Sequence, residues 1–166
     1  MHKWAVMFIL LMILFVPLTA GAQSQITIDS LEVQLWPEYD RPGMLVIYYL
    51  EISADTSLPA EVNIRIPKEA GKPHVIAVGP SFSTASDQNV DYFQEPKGDW
   101  LYITVTATGP AIVFEYYLPL DKQLKTRHFE FDWQSEYDVN NLLLMYKMPS
   151  GSGPKHLSTI KFDFTT

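Results

Sequence analysis

Along most of this chain apolar residues recur at every second position, in short runs that end at proline or glycine. That spacing puts one side of an extended strand into a core and the other into water. No stretch sustains the 3.6-residue period of an amphipathic helix. Residues 26–36 alternate, with Leu31, Val33 and Leu35 opposed to Glu32, Gln34 and Trp36. Residues 61–66 repeat the pattern through Val62, Ile64 and Ile66 and stop at Pro67, which cannot donate to a strand ladder. Residues 44–52 differ, being apolar on both sides until Glu51, which predicts a central strand covered on both faces.

Between the first two strands lies a corner, Trp36-Pro37-Glu38-Tyr39-Asp40-Arg41-Pro42-Gly43. Two prolines hold φ near −65° and turn their predecessors away from helix, and Gly43 is free to take a positive φ. Further along, residues 74–78 predict a short strand, 81–88 a surface loop and 90–94 an edge strand. Glu95-Pro96-Lys97-Gly98-Asp99 reads as a hairpin loop. Thr108-Gly109-Pro110 reads as the turn of a second hairpin, joining 100–107 to 111–118. Residues 121–127 predict a solvated connection or one helical turn. Residues 128–133 predict a strand with Phe129, Phe131 and Trp133 inward, followed by a polar turn, a strand over 142–148, a Pro/Gly/Ser turn over 149–154 and a closing strand over 157–164. Nine or ten short strands with regular turn signals predict an all-β fold, an antiparallel two-sheet sandwich that is immunoglobulin-like in general architecture, with a closed barrel as the alternative.

Residues 1–22 read as a cleavable signal helix: basic His2 and Lys3, an apolar stretch over 5–16, and Ala20-Gly21-Ala22 as a cleavage site. The alternative is retention as a membrane anchor, for which the stretch is short. With cleavage, residues 23–166 form a single β-sandwich domain with no stable membrane span. Losing Lys3 takes the formal net charge from −7 to −8, which disfavours nucleic acid as a partner. The 166 residues include no cysteine, so the exported fold must stand without disulfides, as a core of this size allows.

The corner is the expected contact surface, through Trp36, Glu38, Tyr39, Asp40 and Arg41. It combines aromatic rings and charges on a stiff backbone, which binds with little loss of entropy. A structural reading competes, in which Arg41 pairs with Glu38 or Asp40 and Trp36 plugs one end of the sandwich. His128, Glu130 and Asp132 would share one side of a strand and supply imidazole and carboxylate ligands to a cation; they read equally as that strand's wet side. Tyr137-Asp138-Val139-Asn140-Asn141 lacks the spacing of a calcium loop and reads as a turn. Trp36, Tyr39, Trp100, Tyr102 and Tyr117 lie opposite the inward aliphatics or in turns, where they would serve as a sugar platform or as further core. Among nucleophile and phosphate motifs, Gly-x-Ser-x-Gly, His-Glu-x-x-His and a glycine-rich loop are all missing, so no enzymatic activity and no cofactor are expected.

The run Trp36-Pro37-Glu38-Tyr39-Asp40-Arg41-Pro42 with Leu45-Val46-Ile47-Tyr48, and later Phe131-Asp132-Trp133, Tyr137-Asp138-Val139 and Leu142, resembles uncharacterised exported bacterial proteins with an N-terminal β domain. The resemblance implies an extracytoplasmic β domain and no particular activity. The reading is therefore a non-catalytic binding or assembly module of the cell envelope or extracellular space, its partner an envelope protein or a glycan. A carbohydrate-binding module is the first alternative and a metal-dependent hydrolase the second.

Overall fold

A computed structural model describes residues 26–123 and 126–147. The signal segment, the 149–154 turn and the 157–164 strand lie outside the described residues. Ten strands are present among them: β1 (Thr27–Pro37), β2 (Met44–Ile52), β3 (Ala60–Pro67), β4 (Val75–Gly79), β5 (Tyr92–Lys97), β6 (Trp100–Ala107), β7 (Ala111–Leu118), β8 (Asp121–Gln123), β9 (Thr126–His128) and β10 (Asp138–Tyr146). Five of them form one sheet in the order β10-β1-β2-β7-β4, three form a second in the order β3-β6-β5, and β8 and β9 make a small hairpin. One core joins the two larger sheets. It holds Leu31, Val33 and Leu35 of β1 and alternate residues of β2 and β7 against Val62, Ile64 and Ile66 of β3 and Leu101, Ile103 and Val105 of β6. In β1, β3, β6 and β7 the inward sets read from period-2 spacing are the ones buried, whereas Trp133, also expected inward, is only half-buried.

The predicted pairing fails in two places. β6 and β7 are not a hairpin: β6 pairs with β3 and β5, and β7 with β2 and β4, so residues 108–110 carry the chain from one layer to the other. The crossing is tight. A Cβ on Gly109 would stand 2.4 Å from the Gly79 carbonyl oxygen, so only glycine lets the two backbones touch. Alternation buries one side of each strand whether its mate lies beside it or across the core, which is why local pattern favoured the wrong neighbour. The second departure is β10, which pairs parallel to β1 and so breaks the all-antiparallel expectation. A parallel neighbour requires a crossover, and the chain between β7 and β10 supplies it.

That crossover overturns three local readings. The described residues of the 121–127 stretch, where a solvated connection or one helical turn was expected, lie in the paired strands β8 and β9. The strand expected over 128–133 ends at His128. Beyond it Phe129 and Phe131 still enter the core, but the backbone leaves the sheets. The segment then follows the rim of β3, where the Asn63 N–H donates to Tyr137 Oη at 2.7 Å, Asn63 Nδ2 donates to Glu136 at 3.2 Å and Arg65 donates to Gln134. Residues 138–141, expected in a turn, open β10. Asn140 Nδ2 reaches Asp29 Oδ1 at 3.1 Å and Asn141 Nδ2 the Asp29 carbonyl at 3.0 Å, pinning the start of the parallel pair.

At the centre of the core Tyr48 and Tyr116 share a hydrogen bond of 2.7 Å between fully buried hydroxyls, with the rings edge to face at 5.5 Å. Burial raises both phenol pKa values, so the pair stays neutral and each oxygen is satisfied by the other. Tyr48→Phe alone should lower the unfolding free energy by about 1–3 kcal/mol, because it strands the Tyr116 hydroxyl in apolar surroundings. Tyr48→Phe with Tyr116→Phe should recover most of that loss. Urea unfolding of the three proteins checks this, and a double variant no better than the worse single variant would contradict it.

Candidate functional site

The outer side of the five-stranded sheet is where the chain places its unusual side chains. Cross-strand register sets them in rows: Trp36, Leu45 and Tyr117; Gln34, Ile47 and Glu115; Glu32, Tyr49 and Val113. Leu45 and Ile47 are only 3 % exposed although no second sheet covers this side. Long side chains on β1 and β7 lie over them instead, and the loop after β4 drops Phe82 edge-on against Tyr49 at 5.5 Å. The double-sided burial expected of β2 is thus met by a sheet on one face and by a mat of side chains on the other.

At one end of this face the corner is folded as its prolines and glycine imply. Gly43 sits at φ +141°, a Cβ there would stand 2.9 Å from the Leu118 carbonyl oxygen, and the Glu38 N–H closes the turn on the Gly43 carbonyl at 2.8 Å. Glu38 itself takes φ +50°, so its backbone serves the turn. Trp36 meets Tyr39 edge to face at 4.8 Å. Lys147, brought alongside by the β1–β10 pairing, holds its Nζ 3.6 Å from the Trp36 ring centre. Arg41 lies over Tyr117 at 3.2 Å, Tyr117 Oη donates to Asp40 Oδ1 at 2.6 Å, and His74 packs edge-on to Tyr117 at 5.2 Å. Cation–π contacts therefore orient both basic side chains. Asp40 and Arg41 gather at Tyr117, while Tyr39 joins Trp36. Trp36 lies on the outer side of the sheet and does not plug the sandwich.

The electrostatics follow from these contacts. The hydrogen bond from Tyr117 holds the Asp40 carboxyl below its ordinary 3.8. Tyr117 is pushed up to about 12, first by desolvation and then by that same bond. Glu115, half-buried between Ile47 and Val75 on neighbouring strands, is raised by desolvation and partly relieved by His74.

Toward the other end of the face lies a groove of about 350 Å³, walled by Ser30, Glu32, Gln34, Tyr49, Phe82 and Leu143. Gln34 Nε2 donates to Glu32 along its floor. Leu143 and Met145 of β10 stand 52 % and 40 % exposed beside it. Sequence reasoning did not assign Phe82, Leu143, Lys147, His74 or Glu115 to the contact surface. They come from separate loops and strands and meet only through long-range pairing.

A second and wider cleft, about 680 Å³, opens at one end of the sandwich between Lys68, Glu69, Asp99, Trp100, Glu130 and Asp132. Two of the three residues considered for a cation are therefore together in it, whereas His128 closes β9 and is not part of the lining. Among the described residues no three His, Asp or Glu side chains are grouped as a metal ion would require. Of the aromatics considered for a sugar platform, Trp36 and Tyr117 each carry a cation over the ring, and Trp100 and Tyr102 flank Arg65.

No protein-family model, no curated protein and no solved structure matches the chain.

Because the folded Asp40 carboxyl is the stronger acid, its bond to Tyr117 stabilises the corner above the ordinary carboxylate range. That contribution is lost as pH falls through the lowered pKa. Tyr117→Phe should return the Asp40 pKa to near 3.8 and remove this acid dependence from the corner. Carboxyl chemical shifts followed through an NMR pH titration check it; an unmoved Asp40 would show that Tyr117 is not the cause.

Proposed function

We propose that this protein is a non-catalytic, exported binding or assembly module, immunoglobulin-like in general architecture. Its contact surface is the outer face of the five-stranded sheet, from the corner to the groove. The observation that carries this reading is the groove walled by Tyr49, Phe82 and Leu143, on the same sheet face as a corner whose basic side chains are held on aromatic rings. Exposed large apolar side chains gathered on one face among polar groups, here Tyr39, Phe82, Leu143 and Met145, are a usual mark of a protein contact. Rings that are already oriented lose little entropy on binding, and interface energy concentrates on such anchors. Export is supported by the basic, apolar and small-residue order of residues 1–22, by the resemblance to exported bacterial proteins and by a cysteine-free composition that needs no particular redox compartment. The partner that suits this face is an envelope protein with a complementary apolar patch.

A photo-crosslinking residue placed at Phe82, Leu143 or Tyr39 should yield one adduct of the same discrete mass from envelope material. The same residue at Glu61, on the other sheet, should yield none. Leu143→Asp with Phe82→Ser should weaken capture by roughly 30-fold, the loss of about 2 kcal/mol expected of anchor residues. Equal adducts from all four positions, or none from any, would overturn the reading.

Carbohydrate binding is the second reading, and the wide cleft favours it over the corner. There Trp100 offers a ring beside Glu69, Asp99, Glu130 and Asp132, whose carboxylates accept hydrogen bonds from sugar hydroxyls. A glycan array followed by calorimetry should then show a ligand whose affinity falls at least about tenfold with Trp100→Ala, as loss of a ring contact implies. An array without binders would set this reading aside.

A further inference from the structure

The two large sheets have four edge strands, and three of them are bridged, followed by other chain or blunted among the described residues. β4 is bridged by Ser86, with N–H···O bonds of 3.0 and 3.1 Å to and from Val78. The rim of β3 is followed by residues 129–137, whose Tyr137 accepts the Asn63 N–H. β5 carries Pro96, which has no N–H to offer, between Glu95 and Lys97, themselves paired at 3.0 Å. Proline and paired charges are ordinary ways of blunting an edge. β10 has none of these devices. It runs nine residues, Asp-Val-Asn-Asn-Leu-Leu-Leu-Met-Tyr, without proline, glycine or a basic side chain, and pairs only with β1 among the described residues.

Its inward side is also incompletely covered among the described residues. On β1 the inward Leu31, Val33 and Leu35 are at most 2 % exposed, but their partners across the ladder, Leu142, Leu144 and Tyr146, are only partly covered, Leu142 by enough to leave 37 % open. A sheet of five strands overhangs one of three, and β10 is on the shelf. The shelf needs apolar side chains arriving at every second position on an extended backbone.

The sequence holds such a stretch a short way past β10. Residues 157–164 read Leu-Ser-Thr-Ile-Lys-Phe-Asp-Phe, with Ile160, Phe162 and Phe164 on one side and Thr159, Lys161 and Asp163 on the other. Pro149-Ser150-Gly151-Ser152-Gly153-Pro154 precedes it, a composition suited to reversing the chain and ample to reach an adjacent strand about 4.8 Å away. We propose that residues 157–164 add to the edge of β10 opposite β1 as an antiparallel strand, laying Ile160, Phe162 and Phe164 over the shelf beside Leu142, Leu144 and Tyr146. The inference goes beyond the binding reading and does not depend on it. It assigns the edge to the chain itself and leaves the outer face to the partner, with Thr159, Lys161 and Asp163 beside Leu143 and Met145.

The native chain has no cysteine, so engineered pairs report cleanly. In the full-length protein, Leu143→Cys is combined in turn with Thr159→Cys, Lys161→Cys and Asp163→Cys. One of the three should close an intramolecular disulfide under mild oxidation at least about tenfold faster than the opposite-side control, Leu143→Cys with Phe162→Cys, because only same-side cross-strand Cβ atoms approach closely enough. In parallel, Phe162→Asp should speed exchange of alternate β10 amides by on the order of tenfold or more while β2 and β7 keep their protection. Disulfides forming only between chains would give the edge to a second copy. That result, the absence of any fast pair, or β10 exchange unchanged by Phe162→Asp would each overturn the proposal.

Discussion

A strand that is apolar on both sides cannot lie against water on either, and β2 imposes that demand on everything around it. Its inward residues, from Met44 to Ile52, are met by the second sheet. Its outward residues, Leu45 and Ile47, have no second layer, so the flanking strands must cover them with Trp36, Gln34, Tyr117 and Glu115. These are long side chains with apolar bodies and polar ends, the kind that shield carbon while staying hydrated at the tip. The desolvation that raises Glu115 and Tyr117 is the electrostatic trace of that covering. The candidate binding face thus exists because β2 has to be buried twice.

The same covering explains why the face is stiff. Aromatic rings used as a lid are already packed along their edges, and the cations that top them, Lys147 on Trp36 and Arg41 on Tyr117, give up conformational freedom before any partner arrives. A guanidinium stacked on a ring still directs N–H donors outward, so Arg41 is oriented and not silenced. Tyr39, 60 % exposed, and Phe82, 37 % exposed, project from this mat as its apolar high points. The groove lies between Phe82 and β10, where the mat thins.

Unequal sheet widths govern the remainder of the molecule. Three strands cannot cover five, and the chain deals with the difference mainly through its last described third. Phe129 and Phe131 fill core space from an irregular segment, and that segment bonds to β3 through side chains where a strand would use its backbone. Then β10 extends the wide sheet by one more strand. Its parallel direction follows from the route: the chain returns from beside β3 to the start of β1 and has to run the same way.

Much of this was written locally. Alternation is a property of neighbouring residues, so Leu31, Val33, Val62, Ile64, Leu101, Ile103, Ile112 and Phe114 could be assigned to the core without knowing their partners. The stiff corner was equally legible, because proline and glycine act on their own dihedrals. What alternation cannot convey is which strand lies beside which, since a side chain pointing inward is satisfied by a neighbour in its own sheet or by one across the core. For that reason β6 and β7 looked like a hairpin and proved to belong to different layers. Lys147 meeting Trp36 and Phe82 meeting Tyr49 across distant stretches of chain were decided the same way. Residue order alone sets which side of each strand is dry; what lies against that side is set by the assembled fold, because sheet membership comes from packing summed over the whole core.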